Sequence, residues 1–193
     1  MKTQSTNSLQ IVSKTAFLFI LLVLVACKQK DESSAASKDG AKAPEVDIHT
    51  AIVKDDIKAL QQHIEAGTDL NEKDPFGGSS PLITAALFGK TEAAKMLIDA
   101  GADLNFKNKD GSTPLHTAAF FCRPEIVKML LDKGVDKTIR NNFNATAYES
   151  VATPFKDAKG IYEMMGKALA PMGLKLDYAY IEKTRPEIAA MLK

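Results

Sequence analysis

The stretch that decides the fold is Gly111-Ser112-Thr113-Pro114-Leu115-His116-Thr117-Ala118-Ala119. A close copy stands 33 residues earlier, as Gly78-Ser79-Ser80-Pro81-Leu82-Ile83-Thr84-Ala85-Ala86. The glycines Gly67, Gly101 and Gly134 recur downstream of successive units at spacings of 34 and 33 residues. A fixed period of this length predicts a chain built from stacked, similar units.

Each residue type in the period has a mechanical reason. Glycine at 78 and 111 suits a hairpin turn that needs positive φ. Ser80 or Thr113 can cap a helix whose first position holds proline, where the missing N–H costs nothing. A second helix follows, with an apolar face that includes Ile126 and Leu130, and a glycine ends it. Each unit is therefore predicted to be a helix pair.

Thr113-Pro114-Leu115-His116-Thr117-Ala118 agrees at every defined position with the Thr-Pro-Leu-His-x-Ala pattern of ankyrin repeats. The chain thus resembles the ankyrin-repeat family. The resemblance implies an all-α solenoid of about five helix pairs joined by short β-hairpin loops. It also implies a concave surface of hairpin tips and first helices that binds another protein, with no enzymatic activity.

The repeats are expected over residues 45–193. We place them at about 46–71, 74–107, 108–140 and 141–173, followed by a C-terminal cap at 174–193. The second helix of the fourth repeat is expected around 161–169. The segment 185–192 echoes 123–130, so residues 178–193 are expected to form a fifth, capping helix pair.

The N-terminus has the pattern of an export signal. Lys2 and Lys14 precede eleven consecutive apolar residues, 16–26, which is about half the length needed to cross a membrane. The sequence Leu24-Val25-Ala26-Cys27 resembles the bacterial lipobox. The resemblance implies that residues 1–26 are a signal peptide and that Cys27 carries the lipid. An ordinary signal peptide followed by an incidental cysteine is the alternative.

Residues 27–44 are predicted to be a lipidated flexible tether, since they are small, polar and poor in apolar surface. Lys28 stands where an aspartate would resemble an inner-membrane retention mark, which favours the outer membrane of a bacterial envelope. Lys30-Asp31-Glu32 resembles an export tag of surface-displayed lipoproteins, although a solvated linker explains it equally. The side of the membrane stays open.

The sequence predicts neither a catalytic nor a metal or cofactor site. His116, and His49 at the equivalent place, are interpreted as structural, whereas His63 is expected to be solvated among Gln61, Gln62 and Glu65. Cys122 has no partner once Cys27 is lipidated, and is predicted to be a buried apolar residue rather than a reactive thiol. With 25 basic and 24 acidic residues, the chain offers no charge to attract nucleic acid.

Aromatic residues provide the candidate binding site. Seven phenylalanines follow the signal segment, and none lies on the regular second helices. The hairpins and the ends of the first helices are predicted to form an aromatic stripe with a polar rim, as in protein-binding hot spots. The proposed partner-binding residues are Phe76, Phe88, Lys109, Asp110, Phe120, Phe121, Asn142 and Phe143. The alternative is that some rings, Phe106 and Phe121 especially, fill gaps between repeats.

Three functions therefore compete. The first is a monomeric, lipid-anchored module that binds another protein, in one version as an immunity-type inhibitor. The second is an enzyme or ligand-binding protein with a site in the irregular region 154–180, which offers Lys156, Asp157, Lys159, Tyr162, Asp177 and Tyr178. The third is a self-associating envelope scaffold.

Overall fold

The computed structural model of the protein describes residues 42–193. Cys27, the predicted signal peptide and most of the predicted tether lie outside this range. Residues 42–193 form nine α-helices: α1 (Ile48–Val53), α2 (Ile57–Glu65), α3 (Pro81–Phe88), α4 (Thr91–Asp99), α5 (Pro114–Phe120), α6 (Pro124–Asp132), α7 (Glu149–Ala152), α8 (Phe155–Leu169) and α9 (Tyr178–Leu192). A 3₁₀ turn, Ala170–Met172, follows α8. Within this range, no helix is both long and apolar enough to cross a bilayer.

The first helices of the pairs begin as the sequence predicts. The hydroxyls of Ser80 and Thr113 accept hydrogen bonds from the N–H groups of Ile83 and His116, at 3.4 Å each. Pro81 and Pro114 occupy the first helical position. These caps satisfy donors that every helix start leaves without an intrahelical partner, and proline removes one such donor outright.

The helices are arranged in two layers. The first helices α1, α3, α5 and α7 stack in that order, and each packs against a second helix behind it. Leu82, Leu97, Leu115 and Leu130 are fully buried between the layers. The alanine pairs of the first helices (Ala85, Ala86, Ala118 and Ala119) are also fully buried, which lets neighbouring helices approach closely. This arrangement confirms the all-α repeat solenoid.

The connectors between pairs differ from the expected β-hairpins. No β-strand is present in residues 42–193. In each hairpin-shaped tip, the N–H of residue 74, 108 or 141 donates to the carbonyl of Ser79, Ser112 or Ala145. In the second and third tips, the N–H of Gly111 or Asn144 also donates back to the carbonyl of Asn108 or Asn141. These hydrogen bonds are too few to form a β-ladder between two strands, so the tips are turns.

The C-terminal end also differs from the prediction. The second helix of the fourth pair is α9, since α9 packs against α7, α5 and α6 in the way that α4 packs against its own first helix and the neighbouring pairs. Helix α8 lies between α7 and α9 in the chain and packs mainly on α9. The expected fourth unit at 141–173 and the separate cap at 174–193 are therefore wrong. Instead, one helix pair carries a helical insertion.

Proline explains why the chain leaves the repeat here. Earlier pairs turn from first to second helix through a left-handed residue: Asp55 (φ 61°), Gly89 (φ 67°) or Cys122 (φ 53°). In the fourth pair, Pro154 takes the place of Phe121, whose N–H bonds to the carbonyl of Thr117. Pro154 has no N–H to donate and holds Thr153 in an extended conformation (ψ 149°). The first helix therefore stops early, and the chain continues into α8.

Candidate protein-binding surface

Each tip has an aspartate or asparagine at one equivalent position, which was not among the predicted binding residues. Asp74 accepts hydrogen bonds from the N–H groups of Phe76 and Gly77, at 2.8 Å each. Asn108 and Asn141 do the same for their own tips, Asn141 through the N–H groups of Phe143 (3.0 Å) and Ala145 (3.1 Å). Such Asx turns hold the backbone of a loop in one conformation. The spacing of 74, 108 and 141 was the signal that would have revealed them.

Asp74 is correspondingly ionised. Its partial burial pushes the pKa of the carboxyl upward, but the backbone N–H groups of Gly77, Ser79 and Phe76 outweigh this, and the net pKa is lowered. The carboxylate therefore remains an acceptor at neutral pH, and the first tip keeps its shape.

Successive tips are hydrogen-bonded to one another. The N–H of Lys109 donates to the carbonyl of Gly77 at 3.0 Å, and the N–H of Asn142 donates to the carbonyl of Asp110 at 2.9 Å. Side chains extend the same row: Lys109 Nζ donates to the carbonyl of Phe76 (2.7 Å), and Asn142 Nδ2 donates to that of Lys109 (2.9 Å). Residues 74–79, 108–112 and 141–145 thus form one connected surface, called here the tip row.

Two aromatic rings project from the tip row. The exposed fraction is 81% for Phe76 and 74% for Phe143, and both are among the most exposed large apolar side chains of residues 42–193. The two rings flank the tip that carries Lys109 and Asp110. The two tips are two repeats apart, and packed helices of neighbouring repeats lie about 10 Å apart, so the rings are roughly 20 Å from each other.

The other predicted rings are not equally available. Phe88 and Phe120 are half-buried at the ends of α3 and α5. Phe121 is only 3% exposed and packs edge-on against Phe120, with ring centroids 5.2 Å apart. The prediction that Phe121 binds the partner is therefore corrected, because its ring fills the core beside α5. The predicted stripe contracts to Phe76 and Phe143 with the polar groups between them.

Phe120 is covered by the C-terminal insertion. The ring of Tyr162 on α8 stacks on Phe120 at 4.4 Å, and the hydroxyl of Tyr162 donates to the carbonyl of Phe120 at 2.6 Å. Arg185 on α9 in turn donates from Nη1 to that hydroxyl, at 2.6 Å. Burial raises the pKa of Tyr162 to about 12, so the hydroxyl stays protonated and bridges α5, α8 and α9.

The polar residues predicted for an alternative C-terminal site do not converge. Lys156, Asp157 and Lys159 are exposed on α8, whereas Tyr162 is buried. Asp177 caps α9 by accepting from the N–H of Tyr180, at 3.0 Å. In residues 42–193 no cluster of His, Cys, Asp and Glu side chains could hold a metal ion. A cleft does exist in this region, but other residues line it.

The three histidines serve the fold. His116 Nε2 donates to the carbonyl of Ala145 in the next repeat (3.0 Å), and its Nδ1 accepts from the N–H of Thr113 (3.3 Å). His49 contacts the Thr84 hydroxyl and the Glu72 carbonyl. The expectation that His63 is solvated is wrong, because its ring is buried between the Thr68 hydroxyl (3.1 Å) and the Val46 carbonyl (2.8 Å).

Cys122 is fully buried, with Sγ 3.8 Å from the carbonyl of Ile181. Burial raises the pKa of this thiol to about 11, so almost no thiolate forms at neutral pH. The side chain therefore acts as a small core residue.

Stacked helix pairs with a connected row of tips define a repeat solenoid, a class in which binding surfaces run across several repeats. Residues 48–141 match the family described as ankyrin repeats (3 copies), so this part of the chain consists of ankyrin repeats. A stretch of 71 residues is 39% identical to protein phosphatase 1 regulatory subunit 12A of Mus musculus, and equally to that of Rattus norvegicus. It covers 37% of this chain and 7% of each relative.

A solved structure agrees with this assignment. The chain is similar to the crystal structure of the ankyrin repeat domain of Bcl-3, described as a member of the IkappaB protein family. The TM-score is 0.52 at 28% identity, over 53% of this chain and 45% of that chain. The ankyrin repeats favour a protein-binding module as the class of function.

Proposed function

We propose that this chain is a protein-binding module anchored by lipid to the bacterial envelope, and that it binds its partner through the tip row. The observation that carries the proposal is the exposure of Phe76 and Phe143 on tips that hydrogen bonds connect. Aromatic anchors surrounded by polar groups are typical of binding hot spots.

The polar rim adds specificity to the two anchors. Lys109, Asp110 and Asn142 lie between the rings, and their backbones are already fixed by the contacts between tips. A partner that binds this surface has little loop entropy to remove, which favours affinity. The regulatory-subunit name of the curated relatives supports binding of a protein rather than catalysis.

The test is cross-linking in intact envelopes, followed by recovery of the full-length chain. We expect one protein to be captured by the wild type and to be lost with the Phe76→Ala/Phe143→Ala double variant. The matched control is Ile161→Ala/Met164→Ala, which removes two exposed apolar side chains of α8 away from the tips. Equal capture by both double variants would remove the tip row as the binding surface.

The anchor is a separate part of the proposal, and Cys27 carries it. Several acyl chains on one cysteine give stable membrane attachment, where one chain would be marginal. We expect Cys27→Ser to move the protein from the membrane fraction to the soluble fraction. If the variant stays with the membrane, the lipid anchor is wrong. The outer membrane is the proposed destination, on the strength of Lys28.

An immunity-type role is the most specific form of this proposal. In that case the captured partner is a secreted or membrane-active enzyme, and the purified module inhibits the enzyme in proportion to the fraction of enzyme that it binds. A captured protein without inhibitable activity would point to a plain adaptor. Concentration-dependent light scattering distinguishes the monomeric binder, whose apparent mass is constant, from a self-associating scaffold.

A further inference from the structure

A cleft of about 400 Å³ lies between α7, the beginning of α8 and α9. Its walls are mostly apolar and include Val151, Phe155, Pro186 and Ala189. The volume falls in the range of about 300 to 1,000 Å³ that small-molecule sites occupy. Three of its lining residues, Thr153, Pro154 and Phe155, belong to the insertion between α7 and α9, which the earlier repeats lack.

One charged side chain of this cleft is almost completely buried. Arg185 lines the cleft and is only 2% exposed. Its Nη2 donates to the carbonyl and hydroxyl of Thr153, at 2.9 and 3.1 Å, and more weakly to the Ser150 carbonyl, at 3.4 Å. With Nη1 bound to Tyr162, the guanidinium is oriented by neutral groups alone.

The guanidinium lacks two things that buried arginines usually have. Its Nε–H makes no hydrogen bond. No carboxylate of residues 42–193 lies within 4.0 Å of it. Buried charges are normally paired, because removing an ion from water costs far more than neutral hydrogen bonds return.

The other charges of the cleft do not supply the missing anion. Glu182 and Lys193 also line it, and Lys193 is exposed to solvent. Glu182 is exposed to solvent and forms no ion pair with Arg185. Of the charged residues that line the cleft, Arg185 is therefore the buried one, and it lies beside apolar walls.

Arg123 shows which part of this arrangement is simply structural. It occupies the equivalent place in the third repeat, donates from Nη2 to the Leu87 carbonyl at 3.2 Å, and also has an unpartnered Nε–H. Capping the carbonyls at the end of a first helix is thus common to both arginines. Arg185 lines the cleft described above, and Arg123 does not.

We propose that this cleft binds a carboxylate attached to a small apolar body. The acid group lies beside Arg185 and supplies its counter-charge, and the apolar part packs on Val151, Phe155 and Ala189. Arginine suits carboxylates because its planar donors match the two oxygens. The carboxylate can come from a free organic acid or from the C-terminus of a peptide with an apolar last residue.

The test uses NMR of the full-length, ¹⁵N-labelled chain, with hexanoate as the probe and hexanol as its uncharged counterpart. We expect hexanoate to shift the Arg185 Nε–H resonance saturably and to leave that of Arg123 in place. Hexanol should bind at least about tenfold more weakly, because it lacks the charge. Equal binding of acid and alcohol, or no saturable shift at Arg185, would overturn the proposal.

Paired variants locate the binding without altering Arg185. Ala190 lines the cleft and Ala179 is exposed on the same helix outside it. Ala190→Phe fills the cleft and should weaken hexanoate binding at least about tenfold, whereas Ala179→Phe should leave it unchanged. If both variants bind like the wild type, the acid binds elsewhere and the proposal is wrong. A short peptide ending in leucine, free or amidated at its C-terminus, then distinguishes the two sources of the carboxylate.

Discussion

Two glycines with the same backbone conformation have very different surroundings. Gly111 (φ +71°) sits in the second tip, and Gly134 (φ +73°) ends α6. A Cβ at 111 would lie 2.6 Å from Oδ1 and 3.0 Å from the backbone nitrogen of Asn142, whereas a Cβ at 134 would meet no atom within 4 Å. A side chain at either position would strain the left-handed backbone, but only a side chain at Gly111 would also clash with a neighbouring residue.

This difference predicts two unequal losses of stability. Gly134→Ala should lower the free energy of unfolding by about 1 to 2 kcal/mol, which is the left-handed strain. Gly111→Ala should lower it by about 3 kcal/mol, since it also pushes the third tip away. Urea denaturation of both variants measures this, and equal losses would mean that the tips are not in close contact.

His116 predicts a dependence of stability on pH. Burial, assisted by the charge of Lys107, lowers the pKa of its ring below 6.5 in the folded chain, although the Ala145 contact opposes this. Folding therefore favours the neutral ring. The contribution of this ring to the free energy of unfolding is complete above pH 6.5 and is lost as the pH falls through the lower, folded-state pKa.

The measurement is the urea midpoint of the wild type and of His116→Asn at about pH 7.5 and about pH 5.5. The wild type should lose stability on acidification, by at most about 1.4 kcal/mol per pH unit for one proton. The variant should lose less. Parallel losses would assign the effect to other groups.

At the scale of the elements, the sequence predicts the regular units and misses the irregular one. Side-chain caps and prolines locate the starts of α3 and α5, Pro124 locates that of α6, and glycines follow α3, α4 and α6. Helix α9 pairs with α7 across residues 153–177, and no local pattern reveals such a distant contact. The echo of 123–130 in 185–192 marks a second helix but not its partner: Arg185 donates to the end of α7 in its own pair, whereas Arg123 donates to the end of α3 in the preceding pair.

The same division holds for the candidate site. The exposure of Phe76 and Phe143 follows from their positions in turns, which the repeat period predicts. The burial of Phe121 and the cover over Phe120 depend on α8 and on tertiary packing, which the period does not encode.

The hydroxyl of Tyr162 bridges α8 to α5 and α9, and this gives a prediction. Tyr162→Phe removes the acceptor for Arg185 Nη1 and the donor to Phe120, and leaves a buried cation poorly satisfied. We expect a loss of about 1 to 3 kcal/mol in the free energy of unfolding. Tyr180→Phe, whose ring is exposed, is the matched control and should change stability by less than about 0.5 kcal/mol. Similar values for the two would show that the bridge does not stabilise the chain.

At the scale of the whole molecule, a solenoid can open at one end while the rest stays folded. We expect the fourth pair to be the weaker end, because α7 has only four residues and the interface includes the buried Arg185. Cys122 reports on this end, since its thiol is closed off by α9.

Thiol labelling should therefore detect opening before global unfolding. In a Cys27→Ser variant, Cys122 is the one thiol in the chain. We expect no labelling in the native state, because the thiol is buried and its pKa is about 11. With rising urea, labelling should begin at a lower concentration than the loss of far-ultraviolet circular dichroism. Coinciding transitions would show that all four pairs unfold as one cooperative unit.

The insertion between α7 and α9 has a further consequence, for the order in which the molecule is made. In the first three pairs, the second helix starts only a few residues after the first one ends, so each pair can close as soon as it leaves the ribosome. The fourth pair must wait for residues 153–177 and then for α9. Long-range closures are slow, and they leave apolar surface uncovered in the meantime. Phe120 and Cys122 thus belong to the last part of the newborn chain to be protected, and a truncated chain lacking α9 would present them to chaperones and proteases.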